Sequence, residues 1–467
     1  MKTPKSAIGA WVAGFLLTGI ALAQDGGGLA TPRRASLPEG TAERSPIDYV
    51  AAQDQLPTPS ATPGKTSTAP VTPGPETPPA VQNGAGDEAA GEADEEGFKL
   101  FKLKSLQRHR IDVRGWIDQG FTWNPDNPAN RFNGPVAYND RSNDYTLNQL
   151  YMIAERVTKP EDGAWDIGGR VDLLYGTDSR FPLAFGLDNE WNQSHRFYGL
   201  AMPELYGDLA YEKLLLRVGH MLAPCGYENV QAPENFFYSH SYTFLYAQPT
   251  TVTAAMLTWK LNDRFSVNGG IDTGWNAWDS MNDKLGTLFG LNWTAPSERT
   301  TVALEFFFNN QQLAGENIRS HYALVVSHKV SERMTYAFEN NYGLDDDAVV
   351  GRDQRAADAK WFSFVNYLTY QINPCWSAGL RYEWLRDRNG LLVVGLGPPH
   401  GIPLNGVPSD WNEISLGVNY KPNKNVIVRS ELRWDWVDPL VPVADGPFDD
   451  FSKRQQFLWG TDLIVRF

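Results

Sequence analysis

The chain has 467 residues and a formal net charge of −14, with a pI near 5.0; that balance argues against a nucleic-acid partner, whose phosphates select basic surfaces. Mean hydropathy is −0.40, and after the first two dozen residues no apolar run is long enough for a spanning helix. The 16 Trp, 19 Tyr and 23 Phe beside 42 Gly are instead what a β-rich chain with aromatic girdles contains.

Lys2 and Lys5 precede an apolar run from Ile8 to Leu22, closed by the small residues of Ala21-Leu22-Ala23. This reads as a secretory signal peptide over 1–23, with Gln24 as the mature start. No Cys follows the run, so a lipoprotein anchor is not indicated. Residues 24–97 lose all periodicity and fill with Pro, Thr and Ala before an acidic cluster from Asp87 to Glu96. Such a stretch buries too little apolar surface to offset its chain entropy, so it reads as a disordered tether. Residues 98–110 then reverse the sign, mixing Lys99, Lys102, Lys104, Arg108 and Arg110 with Phe98, Phe101 and Leu103. Two readings stand for this basic lead-in: an amphipathic segment at the membrane boundary or in a lumen, or a plain approach to the first strand.

From Ile111 the chain becomes a succession of alternating segments of about ten residues. Ile111, Val113, Ile117 and Phe121 oppose Asp112, Arg114 and Asp118; Val426, Val428, Leu432, Trp434 and Trp436 oppose Arg429, Glu431, Arg433 and Asp435. The second polar row would be ruinous in a dry sandwich core and is ordinary against water. Short turns such as Tyr211 to Lys213, Leu261 to Arg264 and Lys421 to Asn425 alternate with long polar loops, including Asn124 to Tyr145, Met221 to Pro249, Gly343 to Lys360 and Asp438 to Arg454. Strict alternation of this kind fits an up-and-down transmembrane antiparallel β-barrel, all-β, with about sixteen strands over 111–467 and fourteen or eighteen as alternatives. The last segment, Gln455 to Phe467, places Phe457, Trp459, Leu463, Val465 and Phe467 on one face, and resembles the C-terminal assembly signal of bacterial outer-membrane barrels.

A barrel of that size encloses an aqueous channel. Its third outer loop, Met221 to Pro249, is the longest and most aromatic of the set and is hard to explain as a solvated excursion; it resembles the inward-folding constriction loop of general porins, the alternative being aromatics that pack against a neighbouring subunit or cap the rim. Glu228 and Glu234 on that loop are candidates for the constriction. On the wall, the polar parity carries Arg170, Arg217, Arg381, Arg429 and Arg433 interleaved with Asp172, Glu204, Asp208, Asp272, Glu305, Glu339, Glu383, Glu431 and Asp435, and the excess of acids points to a mild cation preference. Facing basic and acidic rows would set a transverse field that filters ions; paired, the same residues would merely stiffen the barrel.

The segments Val113 to Pro125, Glu234 to Phe244, Trp361 to Asn373 and Arg381 to Gly390, together with the leader and tether, resemble the OmpL-like β-barrel porin family 2. The resemblance implies an outer-membrane porin in a Gram-negative-type envelope, passing small hydrophilic solutes and ions down their gradients, with outer-membrane lipid around it and no catalytic residues. A homotrimer is an analogy from barrel size. The competing readings are a plugged structural or adhesive barrel, and a barrel lipase using Ser239 with His240 or Ser241. Cys225 and Cys375 fall toward opposite barrel ends and should stay unpaired. No His lies at metal-ligand spacing, so neither metal nor cofactor is expected.

Overall fold

The computed structural model describes residues 100–101, 104–161, 163–192, 197–311, 317–350, 355–394 and 406–467. The expected signal peptide, the tether and parts of the lead-in lie outside the described residues. After a short helix α1 (Lys104–Arg108) come β1 (Asp112–Trp123), β2 (Tyr145–Arg156), β3 (Trp165–Gly176), β4 in two pieces (Gly199–Ala201 and Leu205–Tyr211), β5 (Leu214–Leu222), β6 (Thr251–Asn262), β7 (Phe265–Trp275), β8 (Gly286–Thr294) and β9 (Thr300–Asn309). Then follow β10 (Arg319–Ser331), β11 (Met334–Val350), β12 (Arg355–Asn373), β13 (Trp376–Asp387), β14 (Ser409–Asn423), β15 (Val426–Pro439) and β16 (Gln455–Arg466).

Every neighbouring pair is antiparallel, and β1 pairs with both β2 and β16. The sheet is therefore a closed barrel of sixteen strands with no free edge, the arrangement that satisfies every backbone group in hydrocarbon. Both pieces of β4 pair with β3; Pro203 interrupts the strand because it has no N–H to give the ladder. The segment from Leu150, apolar on both faces, belongs to β2 and pairs with β1 and β3.

Seven tight turns at one end, two to eight residues long, face longer loops at the other. One loop is shorter than the sequence pattern indicates. The stretch from Gly343 to Lys360 is largely β11 and β12, paired from Gly343↔Trp361 as far as Val350↔Arg355. A hairpin that rises above the bilayer meets water on its outer face as well, so its alternation fades while its ladder persists.

The two faces part as the alternation requires. Leu416, Val418, Leu432, Trp434, Phe457, Trp459 and Val465 are exposed outside, as are Trp165, Trp259 and Trp376 next to the short turns. Indole rings at that level sit at the lipid-water boundary. At the seam, Phe467 exchanges both backbone hydrogen bonds with Gly115 (3.0 and 2.9 Å), and its ring lies against the open face of that glycine. Phe101 of the lead-in meets Phe467 edge-on at 6.3 Å, and Arg110 binds both oxygens of Asp166 at 2.7 and 2.8 Å. The described part of the lead-in thus lies across the short-turn rim beside the β1–β16 seam.

Candidate functional site: a loop pinned inside the barrel

The third long loop, between β5 and β6, descends into the barrel, runs nearly to the short-turn end and returns. Its inward course follows from its own sequence: Tyr227, Phe236, Phe237, Tyr238, Tyr242 and Phe244 are all buried, and rings of that size find cover only inside. The wall is shaped to take them. A Cβ at Gly379 would come within 2.4 Å of the Phe236 ring, one at Gly417 within 3.0 Å of Phe237, and one at Gly460 within 2.9 Å of Tyr238. Glycine at these inward positions on three strands makes the notches.

Polar side chains of the same wall then fasten the loop backbone. On β13 to β15 the register puts Glu383, Glu413 and Asp435 in one row and Arg381, Ser415 and Arg433 in the next. Arg381 binds Glu413 at 2.5 Å, Glu228 of the loop at 2.6 Å and the Ser239 carbonyl at 2.7 Å. Arg429 holds Asp462 (3.0 Å) and the carbonyls of Ala232, Asn235 and Phe237 at 2.9–3.0 Å. Arg433 holds Asp435 (2.8 Å) and the His240 carbonyl (2.6 Å). Among the acids, Glu431 accepts from the Ser239 N–H and hydroxyl (2.9 and 2.5 Å), and Glu383 from the N–H groups of Tyr242 and Thr243 (2.7 and 2.6 Å). Burial, the largest single influence, would push the Glu228 carboxyl up, but the adjacent Arg381 guanidinium together with His240 and the Ser241 N–H and hydroxyl holds the group below the usual glutamate value.

The residues singled out from sequence therefore meet, though not as facing rows. Arg381, Glu383, Arg429, Glu431 and Arg433 share one wall and are matched there with each other, with Glu228 or with loop backbone; they hold the loop rather than face the solute path. Parity along a strand says which side chains point inward but not which neighbour they find. Arg170 pairs with Asp172 and Glu204, both at 2.7 Å, and Arg217 pairs with Asp208 at 2.9 Å while stacking 3.7 Å over Tyr206. Glu234 stands apart from the constriction: it is 45% exposed at the foot of the loop, 3.9 Å from Arg466 near the short-turn end. Trp459, Leu463, Val465 and Phe467 sit on the closing strand and at the seam, outside the lumen.

Ser239 and His240 do not form a nucleophile-base pair. The Ser239 hydroxyl is engaged by Glu431, Arg381 and Arg433, whereas His240 Nε2 meets the Asn229 carbonyl at 2.9 Å and its ring stacks on Tyr138 at 4.2 Å. Burial holds the His240 imidazole down to about 4. Cys225 and Cys375 are both free, and no metal-holding cluster occurs among the described residues.

On the opposite wall the sequence places Asp272 and Glu305 on the inward parity, as the structure does, but not the register that joins them to their neighbours. One register row there runs Leu215, Thr258, Asn268, Gly290 and Glu305 across β5 to β9. Thr258, Asn268, Ser266, Met256 and Ala254 keep 7–9% of their surface open, as do Tyr227 and Gln231 on the loop; Arg381, Glu383, Glu413, Glu431, Arg433 and Asp435 keep at most 3%. Small inward residues on consecutive strands were the signal available.

A closed antiparallel barrel with a lipid-facing apolar belt, a charged interior and a long loop folded through it is an outer-membrane channel. The chain belongs to the OmpL-like beta-barrel porin-2 family, whose profile matches residues 110–467. It is a porin of the outer membrane, a barrel for passive diffusion of small hydrophilic solutes. No curated protein matches the sequence significantly. Solved structures similar to this chain include the outer membrane channel DcaP of Acinetobacter baumannii, at 13% identity and a TM-score of 0.49, covering 76% of this chain and 97% of that one. Another is an anion-selective porin from Comamonas acidovorans, at 10% identity and a TM-score of 0.48, covering 76% and 99%.

Proposed function

We propose that solutes cross this porin through the gap between the third loop and the wall formed by β5 to β9, and that the channel works without catalysis. The observation behind this reading is residual exposure along one stretch of the wall: Thr258, Asn268, Ser266, Met256 and Ala254 keep 7–9% of their surface open, where Glu305 and Asp272 beside them and the arginine cluster opposite keep at most 3%. The loop is the constriction, with Glu228 locking it to the wall. Arg217 lies on β5 of this wall, and the Arg170–Asp172 pair on β3. The gap is narrow, which favours small solutes over an unselective flow of large ones. The chain assembles as a homotrimer in this proposal, with barrel size as its support.

Planar-bilayer conductance of the purified protein tests the path. Thr258→Trp puts an indole in the Asn268 row and should cut single-channel conductance several-fold, while Leu416→Trp on the lipid face should leave it unchanged. Equal conductance in both variants would move the path elsewhere, and silence in the folded wild type would return the molecule to the plugged-barrel reading.

A further inference from the structure

On the passage wall, two polar rungs cross the middle strand of three. In the lower rung, Asn268 Nδ2 on β7 donates to Glu305 Oε2 on β9 at 3.0 Å. Both reach over Gly290, with which each is in register; a Cβ at Gly290 would lie 2.0 Å from the Glu305 carboxylate. In the upper rung, Asn309 Nδ2 donates to Asp272 Oδ1 at 2.5 Å. The bare position beneath is Gly286, where a Cβ would come within 2.2 Å of Asn309 and 2.9 Å of Asp272. The rungs are four residues apart along each strand, about 13 Å.

The rungs are short of donors. Asp272 Oδ2 and Asn309 Oδ1 have no hydrogen-bond partner among the described residues, although both side chains are 1% exposed. Among the described residues the Asp272 carboxylate otherwise accepts only from the Gly274 N–H (2.8 Å), and Glu305 only from Asn268. Neither has an arginine or lysine partner among the described residues, in contrast to Asp435, Glu413 and Asp462 across the lumen. A buried acceptor left without a donor is costly, and an ionisable side chain inside a spanning segment without a counter-ion marks an ion path.

We propose that the Asp272–Asn309 and Glu305–Asn268 rungs are successive binding positions for small organic cations, solutes carrying an ammonium or a guanidinium group. The inference rests on the passage proposed above. Each carboxamide commits its NH2 to the carboxylate and leaves its carbonyl oxygen as a second acceptor. Carboxylate and amide oxygens side by side suit the N–H groups of a cation, with charge on one of the two bonds.

The test is bilayer electrophysiology on the full-length protein. In a KCl gradient the wild type should select potassium over chloride, and millimolar methylguanidinium should interrupt the current. Asp272→Asn with Glu305→Gln should lower the selectivity ratio and weaken the block by roughly ten-fold, the worth of one charge-assisted hydrogen bond. An anion-selective wild type, or a conducting double variant with unchanged reversal potential and block, overturns the proposal. Potassium selectivity without methylguanidinium block overturns the organic-cation assignment in favour of inorganic cations. If the double variant does not fold, wild-type selectivity and block decide. A wild type that carries no current refutes the passage itself, a failure distinct from all of these.

Discussion

Two walls of this barrel use the same residue types to opposite ends. On β13 to β15 acids and arginines alternate row by row, pair with each other and turn their remaining hydrogen bonds onto the third loop; that wall is sealed and structural. On β6 to β9 small inward residues such as Ala254, Gly290 and Ala303 lie among Met256, Leu288 and Phe307, and the few carboxylates are matched to amides and backbone N–H groups rather than to cations. Buried charge that is fully paired fixes shape, whereas charge left without its opposite is open to something that arrives. The division separates what holds the pore from what the pore offers to a solute.

The largest effect should come from Arg381→Met, which removes the partner of Glu413 and Glu228 and two bonds to Ser239. Breaking a buried pair on one side costs about 3–5 kcal/mol, read as a lower urea midpoint and as new chymotrypsin cleavage within the loop. Glu305→Gln should cost less than about 1 kcal/mol, since Asn268 retains an acceptor; an equal loss in both variants would break the division between the walls. Next in size is Gly379→Val, which fills the Phe236 notch and should cost about 1–3 kcal/mol as overpacking, measured by the same unfolding curve.

Acid should act through His240. Its folded-state value lies below the ordinary one because the ring is buried, so the stability it contributes is full above pH 6.5 and is lost as pH falls through about 4. Current through the wild type should grow noisier over that interval as the loop loosens, and His240→Gln should flatten the dependence. The smallest effect should follow deletion of 24–110: the pinned loop already occupies the lumen, so conductance of the shortened barrel should match that of the full chain. A marked rise would make the lead-in a second constriction.

The barrel was legible in the chain because its signal is periodic. Alternation at period two, tight turns such as Glu212-Lys213 and aromatic ends on the outward parity are each local, and together they leave few topologies. The inward loop was legible too, from rings that have no cover outside. The partnership of Arg381 with Glu228 was not: it links positions far apart in sequence and depends on which two strands the loop lies against. The role of Gly290 was equally hidden, since a glycine on the middle strand gains meaning only once Asn268 and Glu305 are known to flank it. The loop from Gly343 to Lys360 misled for the converse reason, because a ladder above the bilayer keeps its hydrogen bonds without its greasy face.

The pairing of β1 with β16 also governs how the barrel can be made. Trp116 and Arg466 are partners across the seam, so the first strand cannot complete its ladder until nearly the whole domain has been delivered. Contacts of such long range make folding slow, and until they form both outer strands present unpaired N–H and C=O groups to any passing strand. An unfinished chain is therefore an aggregation hazard during its transit of the periplasm, and escorting it there is as much a requirement of this architecture as the lipid in which it ends.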